Sequence, residues 1–473
     1  MRILIFHGYL LRGTGSNIYN ANLARTLAEL GHEVHLLCQD RSWKAPEGVT
    51  VHVPDIGRVL PVYVADEYEG FDAKPFPELT DDELRHYLDA NVEAVRAVPT
   101  PDIALANHLV MGPVILARGL EGKVPYAVKI HGSALEYTVK PNPERFLPYA
   151  LEGIRAANGV LVGSEHTAGS LFEALSDEPG LPERTRLGPP GVDVHEFRPR
   201  EPRLEELASR PAGGWGGDAG GAEALRMLDP SRDPLVSYVG KLIVSKGVDL
   251  LLAAWPLVVD RVPDARLVVV GFGTYREALG RFVEGLRTMD LEILREIAAR
   301  GRGLEGGPPG ELRFLREFLD GVDDGWRRAA PAAAERIHFT GRLEHEDLPM
   351  LLPACEAQVM PSTFPESFGM VAAEAAACGV LPLSANHSGM AEVTATLRPA
   401  LPKHLRPLMS FDVGPGAVGE IAEKLVAWLT LDASERGAAQ AALAAETARR
   451  YSWESVAQGV IAAAAETDNV PAP

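Results

Sequence analysis

The sequence predicts two doubly wound α/β domains, each a mostly parallel sheet covered by helices on both faces. Short apolar runs of strand length alternate with amphipathic stretches of helix length, and this alternation is typical of a sheet built from βαβ units. The pattern occurs twice, on either side of a stretch at 189–200 that is rich in Pro and Gly. A chain of 473 residues is also long enough for about two or three domains.

The first half of the chain begins with a strand at 2–6, a helix at 16–30 and a strand at 33–38. The run RILIF has the length and composition of a buried strand, and Gly31 marks the end of the helix. Later apolar runs predict three further strands of the same sheet, at 103–108, 126–132 and 159–164.

The second half repeats the scheme. Two of its helices are predicted at 248–262 and 369–378, where the sequence is apolar over several turns. Five runs are predicted to be strands, at 235–242, 266–273, 336–343, 357–362 and 380–385.

The domain boundaries follow from this repetition. We assign residues 1–195 to the first domain and residues 196–445 to the second. We expect a C-terminal helix within about 446–473 to pack back on the first domain. The segment at about 274–335 is longer than one βα step requires, so we treat it as an insertion, with a helical stretch over 275–300.

The composition is that of an ordinary globular protein, with 46% hydrophobic and 23% charged residues. The formal net charge is −19. This charge argues against binding to nucleic acid, which requires a basic face that displaces counterions, and against strong binding to an anionic membrane. A small basic pocket for a phosphate is compatible with it.

The three cysteines, Cys38, Cys355 and Cys378, are far apart and lack the spacing of metal ligands. We therefore expect buried, inert thiols in a reducing compartment. The first residues run directly into a strand without the features of a secretory signal, and no apolar run approaches the ~18 residues that span a bilayer. We expect a cytoplasmic protein.

The first strand–helix turn contains the sequence GTGS, so Gly13, Gly15 and Ser16 are candidates for binding a phosphate. Glycines let a ligand approach the backbone, and the N-terminus of the next helix offers free N–H groups to an anion. The alternative is a tight turn without a ligand, because the segment is not a complete G-x-G-x-x-G motif.

Two lysines and a histidine lie at the ends of predicted strands. Lys241 is near the end of the strand predicted at 235–242 and Lys246 comes just after it, at the end where ligands bind in open α/β sheets, and their charges could stabilise a diphosphate leaving group. His131 lies at the end of the strand predicted at 126–132 and could contact a polar substrate. The alternatives are two solvated lysines and a structural histidine.

The stretch from Ser362 to Gly379 has two glutamates at an unusual spacing. Glu366 follows a predicted strand, and Glu374 lies in the helix after it. The helix start can bind an anion or a hydroxyl-rich ligand, and Glu366 can accept hydrogen bonds from sugar hydroxyls. The helical part spans about 8–11 Å, which fits the distance from a sugar to the ribose of a nucleotide sugar. Glu374 could instead be solvated, but its apolar surroundings indicate that it needs partners.

These features together resemble the retaining glycosyltransferases of family 4, which have the GT-B fold of two Rossmann-like domains facing across an interdomain cleft. The resemblance covers nearly the whole chain apart from 200–232 and 274–335. It implies that the first domain binds the acceptor and the second binds a nucleotide sugar. Besides the two glutamates, it rests on the motifs LGHEVHLL (30–37), GVDVHEFRP (191–199), VGKLIVSKG (239–247), FTGRL (339–343) and YSWESVA (451–457).

The resemblance implies a role for each matching residue around the two glutamates. Glu366 would contact the hydroxyls of the transferred sugar, with help from the main-chain amides of Ser367, Phe368 and Gly369. Glu374 would bind the ribose. The expected catalytic residues are His131, Lys246 and Glu366.

Other matching residues would hold the rest of the donor. Lys241 and Lys246 would bind the diphosphate, although the family commonly has arginine at the first of these positions. Gly15 and its neighbours Gly13 and Ser16 would lie under the diphosphate, and His131 would touch the sugar near the reacting carbon. Three residues would border the base: Gly341, Arg342 and Leu343.

The expected function is that of a retaining glycosyltransferase that moves a sugar from a UDP- or GDP-linked donor to a hydroxyl acceptor. We expect neither a cofactor nor a metal, because the chain has no Asp-x-Asp motif and lysines with a helix terminus would replace the metal. Two alternatives keep the same fold: a non-catalytic nucleotide-sugar-binding protein, and an epimerase or phosphorylase. We expect a soluble acceptor, since the stretch 66–84 is acidic and no basic amphipathic face for lipids is evident.

Overall fold

The computed structural model describes residues 1–11, 15–63, 71–210, 218–366 and 368–465. The chain forms two compact units. One contains Met1–Gly191 and the residues from Tyr451 onward, and the other contains Val192–Arg450. Both are mixed α/β units with parallel sheets, so the fold class predicted from the alternating pattern is confirmed.

The first unit alternates strands and helices along its length. Its elements in chain order are β1 (Arg2–Phe6), α1 (Gly15–Glu29), β2 (Glu33–Leu37), β3 (Val49–His52), β4 (Val59–Val62), β5 (Asp72–Pro75), α2 (Asp81–Ala97), β6 (Ile103–Asn107), α3 (Gly112–Leu120), β7 (Tyr126–Ile130), α4 (Pro143–Arg155), β8 (Gly159–Val162), α5 (Glu165–Ala174) and β9 (Thr185–Leu187).

Seven of these strands form one parallel sheet in the order β3-β2-β1-β6-β7-β8-β9, and β4 pairs separately with β5. The strand β1 is apolar from Ile3 to Phe6 because it is buried on both faces of the sheet. Leu4 and Phe6 join the core on one face of the sheet, while Ile3 and Ile5 join the core on the other. The strand order reverses between β1 and β6, and ligands of open α/β sheets bind beside the carboxyl ends of strands at such a point.

The second unit has the same alternation. Its elements are α6 (Leu204–Ser209), α7 (Gly221–Arg226), β10 (Leu235–Val239), α8 (Val248–Arg261), β11 (Arg266–Val270), α9 (Arg276–Thr288), α10 (Leu291–Arg300), α11 (Arg313–Asp320), α12 (Asp324–Ala334), β12 (Ile337–Gly341), α13 (Leu348–Leu351), β13 (Cys355–Met360), α14 (Met370–Ala377), β14 (Leu381–Ala385), α15 (Ser388–Leu397), β15 (Ser410–Phe411), α16 (Ala417–Leu429) and α17 (Ala433–Tyr451).

The six strands of this unit are parallel, in the order β12-β11-β10-β13-β14-β15. Its central strands β10 and β13 are neighbours, and the order of the sheet reverses between them. The loops after these two strands therefore lie side by side. They carry Lys246 and Glu366, and the backbone N–H of Thr363 donates a 2.8 Å hydrogen bond from one loop to the carbonyl oxygen of Ser245 in the other.

The segment 274–335 contains α9 to α12. The predicted helix at 275–300 is two helices, because Met289 adopts a left-handed backbone with φ +56° and the Asp290 side chain caps the next helix. The helix α12 packs on α8, where Trp326 Nε1 donates a 2.9 Å hydrogen bond to the carbonyl oxygen of Ala253. The segment thus supplies part of the layer that covers the sheet.

The last described helix, α18 (Trp453–Ala465), belongs to the first unit. Trp453 and Val460 are buried in the same core cluster as Ile3 of β1, and the ring of Trp453 lies 5.4 Å from that of Tyr19 on α1. Among the described residues, no helix combines the length and the apolar character needed to cross a bilayer.

Candidate active site

The carboxylate of Glu366 lies at the carboxyl end of β13, where two side chains bind one of its oxygens. Lys246 forms an ion pair with Glu366 Oε1, and Ser362 Oγ donates a 2.8 Å hydrogen bond to the same atom. Glu366 Oε2 accepts no hydrogen bond from any described residue. The carboxylate is therefore fixed by one oxygen and can accept hydrogen bonds with the other.

The backbone at Glu366 is held by the loop between β14 and α15. Its N–H donates a 2.9 Å hydrogen bond to Ser388 Oγ, and its carbonyl oxygen accepts one from the N–H of Gly389 at 2.9 Å. His387 Nε2 donates to the carbonyl oxygen of Ser362 at 2.8 Å. His387 and Ser388, for which no role was predicted, together fix the segment that carries Glu366.

Lys246 ends a single helical turn, Val244–Lys246, between β10 and α8. Gly247 follows with φ +64°, and a Cβ at this position would lie 2.0 Å from the carbonyl oxygen of Pro361. Only glycine allows this approach without a shift of the backbone. The close contact keeps Lys246 beside the end of β13, so that its ammonium reaches Glu366.

A small, partly open pocket of about 50 Å³ adjoins this ion pair. Its polar lining comes from Lys246, Ser362 and Glu366, and the start of α14 closes one side. The first N–H groups of a helix have no partner within it, so they remain available to a ligand. The other lining residues are apolar or aromatic in character or glycine: Tyr238, Val239, Met360, Pro361, Phe368, Gly369, Met370, Val371, Ala372 and Met390.

Glu374 lies one turn into α14 and is buried, with 4% of its side chain exposed. Its Oε1 forms a 2.8 Å contact with His345 Nε2. Burial lowers the pKa of His345, but the hydrogen bond and the charge of Glu374, helped by Asp193 and Glu346, outweigh that effect and raise the pKa overall. The partner that the buried glutamate was expected to need is thus His345, which the sequence analysis did not identify.

The other residues of the second unit that were predicted to bind the nucleotide sugar lie near the carboxyl ends of its strands. Lys241 is exposed in the loop after β10, and its carbonyl oxygen accepts a 2.8 Å hydrogen bond from Tyr238. Gly341 ends β12, and Arg342 pairs with Glu344 at 3.1 Å while its guanidinium lies 5.3 Å from the centre of the Phe272 ring. Leu343 is half-buried and Gly369 is buried.

The predicted residues of the first unit follow the ends of its strands. His131 comes directly after β7, and its Nε2 lies 2.7 Å from Asn107 Oδ1. Burial, and then the proximity of His108, Lys129 and His7, hold the pKa of His131 well below its ordinary value. Gly15 and Ser16 form the first turn of α1. Gly13 and Ser367 lie outside the described residues, and the described ranges contain no cluster of three His, Cys, Asp or Glu side chains suited to a metal ion.

Two family models match the chain. The model described as "Glycosyltransferase Family 4" covers residues 13–196, and the model described as "Glycosyl transferases group 1" covers residues 330–398. A D-inositol 3-phosphate glycosyltransferase of Frankia alni is 28% identical over 466 residues, which cover 94% of this chain and 93% of that protein. The chain belongs to the GT-B glycosyltransferases of family 4. The family predicted from the motifs, and with it the assignment as a transferase, is confirmed.

Solved structures agree on the fold of this glycosyltransferase. The sucrose-phosphate synthase of Thermosynechococcus elongatus aligns with a TM-score of 0.59 at 19% identity, covering 97% of this chain and 96% of that one. Anabaena Alr3699/HepE in complex with UDP and glucose aligns with a TM-score of 0.55 at 17% identity, covering 98% of both chains.

Proposed function

We propose that this glycosyltransferase moves a sugar from a UDP- or GDP-linked donor to a hydroxyl of a soluble acceptor, with retention of configuration and without a metal ion. The observation that carries the proposal is the ion pair between Lys246 and Glu366. It joins an ammonium suited to phosphate with a carboxylate suited to sugar hydroxyls, beside the first N–H groups of α14.

Both side chains of this ion pair have hydrogen-bonding groups that remain available to a ligand. An ammonium has three N–H groups, and Lys246 uses one of them on Glu366. The others can bind the diphosphate. Glu366 keeps Oε2 for a sugar hydroxyl, and a carboxylate with one oxygen already fixed loses little freedom when it binds.

The ribose would bind at Glu374. A carboxylate that accepts from two vicinal hydroxyls is a common grip on a ribose. The contact with His345 supports this role, because it holds the buried carboxylate in one orientation through Oε1. Glu374 Oε2 accepts no hydrogen bond from any described residue and can bind the ribose. Lys241, Arg342 and Leu343 would flank the diphosphate and the base.

For the chemical step we propose a front-face substitution. The bond between the sugar C1 and the diphosphate oxygen breaks, and a bond from C1 to the acceptor oxygen forms on the same face. The acceptor proton passes to the departing diphosphate, so no protein base is required. Lys246 stabilises the negative charge that grows on that diphosphate, while Glu366 and His131 orient the sugar.

The names of similar proteins suggest which substrates to test first. The Frankia relative is named for D-inositol 3-phosphate, and the Anabaena structure holds UDP and glucose. We therefore propose UDP-glucose as the first donor and an inositol phosphate as the first acceptor, with GDP-linked sugars as the second donor set.

A thermal-shift screen of UDP- and GDP-linked sugars tests the donor. A donor at ~100 times its Kd stabilises the protein by about 2.7 kcal/mol, and Lys246→Met should abolish most of that shift. Lys424→Met is the matched control, since Lys424 also pairs with a glutamate of the same unit, Glu420, away from the site. Equal shifts in both variants would contradict the proposal. Donor turnover that needs no acceptor would instead indicate an epimerase.

A further inference from the structure

A chain of imidazole and amide side chains links four elements of the first unit. His7 follows β1, Asn20 lies on α1, Asn107 ends β6, and His131 follows β7. The side-chain contacts between them are 3.0 Å from Asn20 Nδ2 to His7 Nδ1, 2.8 Å from Asn107 Nδ2 to Asn20 Oδ1, and 2.7 Å from His131 Nε2 to Asn107 Oδ1. We refer to His7, Asn20 and Asn107 as the relay.

The relay is shielded from water, because His7, Asn20 and Asn107 are at most 1% exposed. Burial lowers the pKa of His7 to about 4, so its ring is neutral near pH 7 and has one N–H group. In such surroundings a contact between a donor and an acceptor is strongly favoured over a contact between two acceptors or two donors. The protons of the relay can therefore be assigned one by one.

Backbone carbonyl oxygens, which can only accept, fix each assignment. His7 Nε2 lies 2.8 Å from Asn17 Oδ1 and 3.0 Å from the carbonyl oxygen of Leu10, which are both acceptors. Nε2 therefore has the proton, and Nδ1 accepts a hydrogen bond from Asn20. Asn20 Nδ2 also donates to the carbonyl oxygen of Ser16 at 2.8 Å. The other atom of the Asn20 amide is therefore the oxygen Oδ1, which accepts a hydrogen bond from Asn107.

The side-chain amide of Asn107 is oriented in the same way, by the acceptors that it faces. Its Nδ2 donates to Asn20 Oδ1 and also to the carbonyl oxygen of Phe6 at 3.0 Å, so both of its N–H groups are used. The atom that faces His131 is then Oδ1, an acceptor. A neutral His131 must donate to it from Nε2, which leaves Nδ1 with a lone pair and no hydrogen bond from any described residue.

We infer that His7, Asn20 and Asn107 are positioning residues that hold His131 as the neutral tautomer protonated on Nε2, so that Nδ1 is presented as a hydrogen-bond acceptor. The inference rests on the proposed function only where it assigns that acceptor to a sugar hydroxyl. In that role Nδ1 of His131 accepts a hydrogen bond from a sugar hydroxyl. His131 then acts neither as a cation nor as an N–H donor at Nδ1.

The tautomer can be measured without any substrate. In the full chain labelled with ¹⁵N-histidine, two-bond ¹H–¹⁵N spectra distinguish the protonated from the unprotonated ring nitrogen, and the signals that vanish in His131→Gln identify His131. We expect an unprotonated Nδ1 and a protonated Nε2. In Asn107→Ala we expect a mixture of the two tautomers, because the acceptor that selects Nε2–H is removed.

Asn91→Ala is the matched control. Asn91 is 1% exposed and donates to the carbonyl oxygen of Tyr87 at 2.7 Å, so its loss also removes a buried amide from this unit but leaves the relay intact. The control should keep the wild-type tautomer. A wild-type His131 protonated on Nδ1, or an Asn107→Ala variant with an unchanged spectrum, would overturn the inference.

Addition of UDP-glucose or a GDP-linked sugar separates this inference from the proposed function. If the tautomer behaves as expected and a nucleotide sugar shifts the Nδ1 resonance, both are supported. If the tautomer behaves as expected and none of these donors shifts that resonance, the relay stands and the contact between His131 and the sugar is refuted.

Discussion

The contact between His345 and Glu374 offers a quantitative test of the ribose-binding end of the site. We consider the variants His345→Gln and Glu374→Gln and the double variant. Each single change removes the ionic attraction across the 2.8 Å contact while keeping a polar side chain of similar length. The double-mutant cycle then isolates the coupling between the two residues.

The exposure of the pair sets the expected coupling. Glu374 is 4% exposed and His345 is 39% exposed, so the pair lies between two known cases. Exposed pairs contribute about 0.2–1 kcal/mol, whereas breaking a buried pair costs about 3–5 kcal/mol. Since solvent screens the charge on His345, we expect a coupling of about 1–2 kcal/mol in the free energy of unfolding.

The coupling should depend on pH, because pairing raises the pKa of His345 above its unfolded value of about 6.5. Stabilisation by a histidine with a raised pKa is complete below the unfolded pKa and is lost as the pH rises through the folded pKa. We therefore expect a larger coupling at about pH 6 than at about pH 9. In Glu374→Gln, the pKa of His345 should fall, because burial is then opposed only by the charges of Asp193 and Glu346.

Fluorescence reports the unfolding of this unit through the buried Trp255, Trp326 and Trp428, and the signal of Trp43 and Trp453 in the first unit is common to all four proteins. Urea titrations of the four proteins at both pH values give the cycle, and ¹⁵N-histidine spectra give the direction of the pKa change. A coupling below about 0.3 kcal/mol at the lower pH, or an unchanged pKa of His345 in Glu374→Gln, would show that the two side chains do not interact as an ion pair.

Three further predictions concern Lys246, the adjacent Gly247 and the need for a metal ion. Lys246→Met should lower kcat/KM by about 10²–10³, measured with a saturating acceptor, and a loss no larger than that of Lys424→Met would contradict it. Gly247→Ala should destabilise the second unit by more than about 1 kcal/mol, because a Cβ would lie 2.0 Å from the carbonyl oxygen of Pro361. Gly306→Ala, also at positive φ but with no neighbour within 4 Å, should cost less in the same urea titration. Chelation with EDTA should leave the transfer rate unchanged, and a loss of rate that Mg²⁺ restores would show that a metal is required.

Local patterns in the sequence predicted most of the central strands. The apolar run at 103–108 corresponds to Ile103–Asn107 and the run at 159–164 to Gly159–Val162, because strands buried on both faces are apolar throughout. The predicted strand at 235–242 ends earlier, at Val239. Its last residues form the loop at the carboxyl end of the sheet, where apolar composition no longer indicates a strand. The short strands β4 and β5 gave no recognisable pattern.

The candidate site was predictable only in part. The positions of Lys246 and Glu366 at strand ends followed from the sequence, but their pairing depends on β10 and β13 being neighbours, and 120 positions separate the two residues. His345 and Ser388 could not be assigned to the site either, because each is distant in sequence from the glutamate that it contacts. Burial of Glu374 indicated that a partner was needed, yet only the folded chain identifies which of several distant polar residues meets it.

The configuration of the product shows whether the sugar is transferred with retention. UDP-glucose, an inositol phosphate and the protein are incubated with EDTA, and the anomeric configuration of the new glycoside is read by NMR. We predict an α-glucoside from the α-linked donor, formed with EDTA present and lost in Glu366→Ala. A β-glucoside, or transfer that Glu366→Ala leaves unchanged, would contradict it.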